Sequence, residues 1–156
     1  MNRVDSPMNI YVASSWRNDH HPSVVKALRE LGHEVYDFRN PPKNDILNWD
    51  GKHPWWENLT YEEKLNLLTN PVAQKAFRVD MNELMTCDMC VLVLPSGRSA
   101  HLEFGYACGK LLCRTVVLLD DKEPELMTLM ADKLCKNLEE LVEYVGKPGA
   151  FMKGEK

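Results

Sequence analysis

The segment that most constrains the fold is residues 90–106. Cys90-Val91-Leu92-Val93-Leu94 is an unbroken apolar run rich in Val and Leu, the pattern of a strand buried on both faces in a parallel sheet. Pro95 stops it, Ser96-Gly97-Arg98 form a short loop, and helix-forming residues resume near Ser99. A strand, loop and helix of this kind suit an open α/β sheet, where ligands settle in the crevice beyond the strand carboxyl ends. Glu103 falls in the first turns of that helix, next to Arg98, Ser99 and His101. It reads either as a carboxylate aimed at a bound molecule or as an exposed acid favoured by the helix dipole.

The rest of the chain supplies the partners of that unit. Residues 8–13 predict a first strand that meets a polar loop at Ser14-Ser15. Pro22 suits a first helical turn, Val24, Val25, Leu28 and Leu31 follow at helical spacing, and Gly32 marks the C-terminal stop. Residues 33–38 predict a second strand. Residues 39–58 have no clear period and are rich in Pro, Asn, Asp and Trp, and loops of this length are usually functional or mobile. Thr60 with Glu63 forms a capping box for a short helix through residue 68, and Asn70-Pro71 opens a longer one to about residue 86. Residues 114–119 predict a fourth strand, 124–131 a short helix and 133–136 a last strand. Asn137 with Glu140 caps an amphipathic helix through residue 145.

Strands alternating with helices predict an α/β, flavodoxin-like or Rossmann-like doubly wound parallel sheet of about five strands in the order 2-1-3-4-5. The Ser14-Ser15 loop and the loop from Ser96 to Ser99 then face each other across one crevice. At 156 residues the expectation is one domain, with its core at about 8–146 and a frayed tail at 147–156.

Charge and cysteine usage narrow the function. A formal charge of −4 leaves no electrostatic footprint for a nucleic acid polymer or an anionic membrane. No apolar run approaches the roughly 20 residues of a membrane span, and residues 1–7 are polar and lack a signal-peptide core. The expectation is a cytoplasmic protein acting on a small molecule. The five cysteines read as reduced thiols. Cys87 and Cys90 form a CxxC, but it precedes a strand instead of opening a helix, and no second ligand pair accompanies it. Cys108, Cys113 and Cys135 fall in apolar contexts and read as small core residues. The loop at residues 95–99 is neither a Walker A loop nor a GxGxxG fingerprint, so neither ATP nor NAD is indicated.

Individual polar residues stay ambiguous on pattern alone. Asp80 reads as a solvated helix acid as readily as a functional one. Arg17 suits a phosphate or a pairing with Asp19, and His20 and His21 read as surface residues before a helix. Trp49, Trp55 and Trp56 suit either a local mini-core or a loop that stacks on a base.

Taken together, Ile10-Tyr11-Val12-Ala13-Ser14-Ser15-Trp16-Arg17, then Asp80, then the segment from Gly97 to Gly105 with Glu103 resemble the nucleoside 2-deoxyribosyltransferase superfamily. That superfamily includes 2′-deoxynucleoside 5′-phosphate N-hydrolases, and the matching order and spacing run from residue 8 to about 119. The resemblance implies an N-glycosidase or deoxyribosyltransferase of nucleotide salvage. In it Glu103 is the nucleophile at the anomeric carbon, Asp80 supports the sugar and the proton transfer, and Tyr11 holds the nucleophile. Ser14, Ser15, Trp16, Arg17, Ser96, Gly97, Arg98 and Ser99 are then the substrate-binding residues. No cofactor and no metal are implied. The partners implied are a nucleoside or nucleotide and a homo-oligomer, dimer or higher, in which a neighbouring subunit helps close each site.

The chemistry agrees, because a carboxylate beside the anomeric carbon stabilises an oxocarbenium-like state and a second acid protonates the leaving base. The chain departs from the family in two places. Its Trp-rich middle insert is longer than the hydrolases lead one to expect. Arg98 and Ser99 stand where the transferases carry another acid, which favours a 5′-phosphate over a bare hydroxyl. Two other readings stay open: a phosphoribohydrolase of the cytokinin-activating type, whose loop should be richer in Gly and Thr, and a nucleotide-binding sensor without turnover.

Overall fold

The computed structural model describes residues 6–41, 58–122 and 125–147. Trp49, Trp55, Trp56 and most of the insert predicted at 39–58 lie outside the described residues, as does the tail beyond 147. Five strands, β1 (Asn9–Ala13), β2 (Glu34–Tyr36), β3 (Met89–Val93), β4 (Arg114–Leu118) and β5 (Lys133–Cys135), form one sheet in the order β2-β1-β3-β4-β5. Every neighbouring pair is parallel. The helices are α1 (His21–Glu30), α2 (Tyr61–Thr69), α3 (Pro71–Thr86), α4 (Arg98–Gly109) and α5 (Leu138–Gly146). The segment expected to be a short helix near residue 126 is a 3-10 turn, Leu126–Met130.

Local chemistry sets these boundaries. Gly32 has a φ of 96°, which a side chain would strain and which lets the chain turn from α1 into β2. Thr60 and Glu63 exchange the two hydrogen bonds of a capping box at α2. Asn70 and Asn137 each accept a backbone N–H three residues on, at α3 and α5.

Side-chain alternation then splits the core in two. Ile10, Val12, Met89, Val91, Val93 and Val116 pack on the face covered by α1 and α5. Tyr11, Ala13, Tyr36, Cys90, Leu92 and Val117 pack on the opposite face, against α3 and α4. The cysteines behave as core residues: Cys87, Cys90, Cys113 and Cys135 are buried and Cys108 is half-buried. The Cys87 thiol lies 3.7 Å from that of Cys113. No helix among the described residues is long and apolar enough to cross a membrane.

Candidate active site

Strand parity puts two tyrosines on the α3/α4 face at adjacent register positions, Tyr11 on β1 opposite Tyr36 on β2. Their rings stack with centroids 5.3 Å apart and an interplanar angle of 26°. Each hydroxyl lies near one carboxyl group. Tyr36 donates to Oδ1 of Asp80 on α3 at 2.7 Å. Tyr11 is 1% exposed, and its hydroxyl has no partner at full hydrogen-bonding geometry among the described residues. It nevertheless lies close enough to Glu103 to lower the pKa of that carboxyl.

Glu103 sits on the inward stripe of α4, with buried Ala100 one turn before it and buried Ala107 one turn after. It is half-buried. Burial first, and the charge of Asp80 second, push its pKa up to about 8 against the pull of Tyr11. Burial also raises Asp80, while the Tyr36 hydroxyl opposes that rise. Burial thus favours the protonated form of both carboxyl groups, and each one's charge works against ionisation of the other. Neither acid is the solvated helix residue that pattern alone allowed, and Glu103 is not a freely exposed acid.

A second polar network lies on the opposite face of the sheet, beneath the first loop. Ser14 Oγ is 2.7 Å from His21 Nδ1, and His21 Nε2 is 2.8 Å from Asp37 Oδ1. His21 is 0% exposed, which corrects the expectation of a surface residue; His20 beside it is exposed. Burial works to raise the Asp37 pKa, but hydrogen bonds from His21, Asn40 and the Arg39 backbone outweigh it and hold the carboxyl at about 2. An ionised carboxylate only accepts, so Nε2 of His21 carries a proton, and in the neutral ring Nδ1 accepts from Ser14.

The rest of the loop is pinned from outside. Arg39 donates to the carbonyls of Ser15 and Asn18 at 2.6 and 2.8 Å. Asn18, 3% exposed, donates to the carbonyls of Val93 and Pro95 at 2.9 and 3.0 Å. That last contact joins the loop after β1 to the loop after β3, so the two predicted substrate loops do meet at the switch point of the sheet.

Within the loops, Ser15 accepts from the Arg17 backbone at 3.2 Å, and Trp16 packs edge-on to Phe38 at 5.1 Å. Arg17, Gly97, Arg98 and Ser99 are exposed and Ser96 is half-buried. Ser96, Gly97 and Arg98 line one shallow hollow of about 630 Å³. Gly97 caps α4 without a side-chain hydrogen bond, which leaves the first amides of that helix to an anion or to water. Ser14 is turned toward His21. A cavity of about 640 Å³ flanks β2, lined by Tyr11, Tyr36, Asp37 and Glu83 among others. Neither Asp80 nor Glu103 is among its lining residues. No group of three or more His, Cys, Asp or Glu side chains among the described residues is placed to hold a metal ion.

Tyr36, His21, Asp37, Asn18 and Arg39 were not predicted as site residues. Their partners stand 44, 16 and 75 residues away in the cases of Tyr36, Asp37 and Asn18, and no local spacing signals such pairings. A usable cue exists for Tyr36, Asp37, Asn18 and Arg39, which end a strand at its carboxyl edge or lie in the turn beyond, whereas His21 opens α1.

A doubly wound α/β sheet with two coupled carboxyl groups beside its switch point defines the class of architecture. No protein-family model matches the sequence, and no curated protein sequence is significantly similar to it. Its fold matches the 2-deoxyribosyltransferase of the psychrotolerant bacterium Bacillus psychrosaccharolyticus, described as a biocatalyst for the synthesis of antiviral and antitumoral nucleosides. The match has a TM-score of 0.58 and 19% sequence identity, and covers 86% of this chain and 90% of that one. The chain thus shares the fold of a 2-deoxyribosyltransferase, as the sequence resemblance implied.

Proposed function

We propose that the protein cleaves the N-glycosidic bond of a 2′-deoxynucleoside or its 5′-monophosphate, with Glu103 as nucleophile and Asp80 as the group that handles the proton. The observation that carries this reading is the coupled pair itself: two carboxyl groups from different helices, each near a buried tyrosine, on one face of the sheet. In the resting state the two carboxyl groups together hold a proton. As the substrate binds, that proton passes through Asp80 to the leaving base. The ionised Glu103 forms a bond to the anomeric carbon while the carbon–nitrogen bond breaks, and its electron pair leaves with the base. Developing positive charge on the sugar is stabilised by the same two carboxylates. Water or a second base then attacks the glycosyl-enzyme from the opposite face, giving net retention.

Chromatography of free base tests this on a panel of deoxy- and ribonucleosides with and without 5′-phosphate. Release from deoxynucleosides or deoxynucleotides is expected, and exchange on adding a second base identifies a transferase. Binding without release would overturn the reading in favour of a sensor, and release from ribonucleotides alone would favour a phosphoribohydrolase.

Arg17 and Arg98 are proposed to read a 5′-phosphate, since both are exposed on the two loops that meet at the crevice. Replacing either with Ala is expected to lower kcat/KM for monophosphates roughly 10- to 100-fold more than for nucleosides, the value of one charge-assisted hydrogen bond. Equal losses on both substrate types would reject the phosphate assignment.

A homo-oligomer is part of the same proposal. Leu102 on α4 and Leu126 and Leu129 of the 3-10 turn are at least 70% exposed, apolar surface that contact with another copy would cover. Sedimentation velocity is expected to give a dimer or larger species that Leu102→Lys weakens; a monomer at micromolar concentration would reject it.

A further inference from the structure

We propose that Tyr36 is a positioning residue for the glycosidic reaction: its hydrogen bond to Oδ1 of Asp80 leaves Oδ2 to meet the leaving base and favours the ionised form of Asp80 until substrate binds. The inference rests on the glycosidic reading and adds a residue that the sequence resemblance does not assign.

The geometry is restrictive. Tyr36 is 8% exposed and its ring is stacked on that of Tyr11, so the hydroxyl cannot swing away without breaking the stack. At 2.7 Å its bond to Asp80 is a short, charge-assisted one when Asp80 is ionised. Burial and the neighbouring carboxylates drive the phenol pKa far above its ordinary value, so Tyr36 stays a donor at any working pH.

The groups around the pair come from five elements. Tyr11 faces it from β1, Tyr36 from β2, Cys90 from β3, Glu83 from α3 beside Asp80, and Glu103 itself from α4. Burial pushes the Cys90 thiol up, so it remains neutral. The two tyrosine hydroxyls then set the balance, Tyr36 through its bond to Asp80 and Tyr11 from beside Glu103. Tyr36 favours an ionised Asp80, and Tyr11 favours an ionised Glu103.

Loss of each hydroxyl should therefore act on a different side of the pH profile. Without Tyr36, Asp80 binds its proton more readily, so the doubly protonated pair persists to higher pH. Without Tyr11, Glu103 holds its proton more tightly, so the last proton leaves later. A purely structural loss would lower activity and melting temperature at every pH and move neither limb.

The test is kcat/KM for base release against pH for the wild type, Tyr36→Phe and Tyr11→Phe, with carbon-13 NMR titration of the Asp80 and Glu103 carboxyl groups in the same proteins. Tyr36→Phe is expected to raise the acid limb and the Asp80 midpoint by about one pH unit, the size expected for one hydrogen bond to a charged group. Tyr11→Phe should move the alkaline limb instead. An unmoved Asp80 midpoint, or a uniform loss at all pH values, overturns the role of Tyr36 while wild-type base release leaves the glycosidic reading standing. Absence of base release from the wild type overturns the glycosidic reading, and the positioning role in that reaction with it.

Discussion

Glu103→Gln is expected to abolish base release and, above about pH 8, to yield a protein that melts at a higher temperature than the wild type. The first effect follows from removing the nucleophile, for which a loss of at least about 10³-fold is expected. The second follows from the cost of carrying the carboxylate where it is. Its ordinary pKa is 4.5 and its pKa in the folded protein is about 8. Between those values the folded chain keeps a proton that the unfolded chain has released, so stability falls as pH rises through that window. Above it the wild type must hold an ionised Glu103 close to the charge of Asp80, whereas glutamine has nothing to ionise. The advantage of the variant should thus grow from pH 5 to pH 9 and vanish near pH 4.5. Calorimetric melting at three pH values, alongside the base-release assay, checks both halves. Near wild-type turnover would remove Glu103 as nucleophile, and a melting difference independent of pH would mean that its charge is not strained.

Tyr11 shows where the sequence was informative and where it was not. Its strand, the parallel order of the sheet and the helices after each strand were readable because they repeat: apolar runs, helical spacing, and caps such as Thr60 with Glu63. Even the meeting of the two loops followed from the strand order, with β1 and β3 as neighbours. Glu103 and Asp80 were candidates on the residues themselves, with a bland alternative left open. Their roles and that of Tyr11 came through the family resemblance, and the structure brings the three together on one face. Tyr36 stands at the adjacent register position to Tyr11 yet was not predicted to matter, because its role depends on a carboxyl group 44 residues later. His21 was misread for a related reason. The run Asp19-His20-His21 looks like a hydrated turn, and only the return of β2 alongside β1 brings Asp37 under it. Buried polar pairs are set by tertiary contact and leave no period in the chain.

That buried pair supplies the other large effect. His21→Leu is expected to destabilise the fold by about 3–5 kcal/mol, the usual cost of leaving a buried charge without its partner, or roughly 6–20 °C in melting temperature for a chain of this size. The cost arises because Asp37, 7% exposed, keeps its charge while losing the donor at 2.8 Å. Ser14→Ala removes only the far end of the network and should cost about 1–3 kcal/mol. Replacing both members, as His21→Leu with Asp37→Val, should recover much of the loss, since an apolar pair of similar volume leaves no charge to solvate. Acid supplies an independent check of sign. The pKa of Asp37 is held at about 2 against an ordinary 3.8, so the stability it contributes is present above that ordinary value and is lost as pH falls toward 2. The double variant, with no carboxyl group at position 37, should lose less stability over that acid range than the wild type. Because His21 lies on the α1 face and Glu103 on the α4 face, the single variants should leave the pH limbs of base release in place while raising KM, through a looser loop carrying Ser15, Trp16 and Arg17. A shifted pH limb in His21→Leu would show instead that the two networks communicate through the sheet.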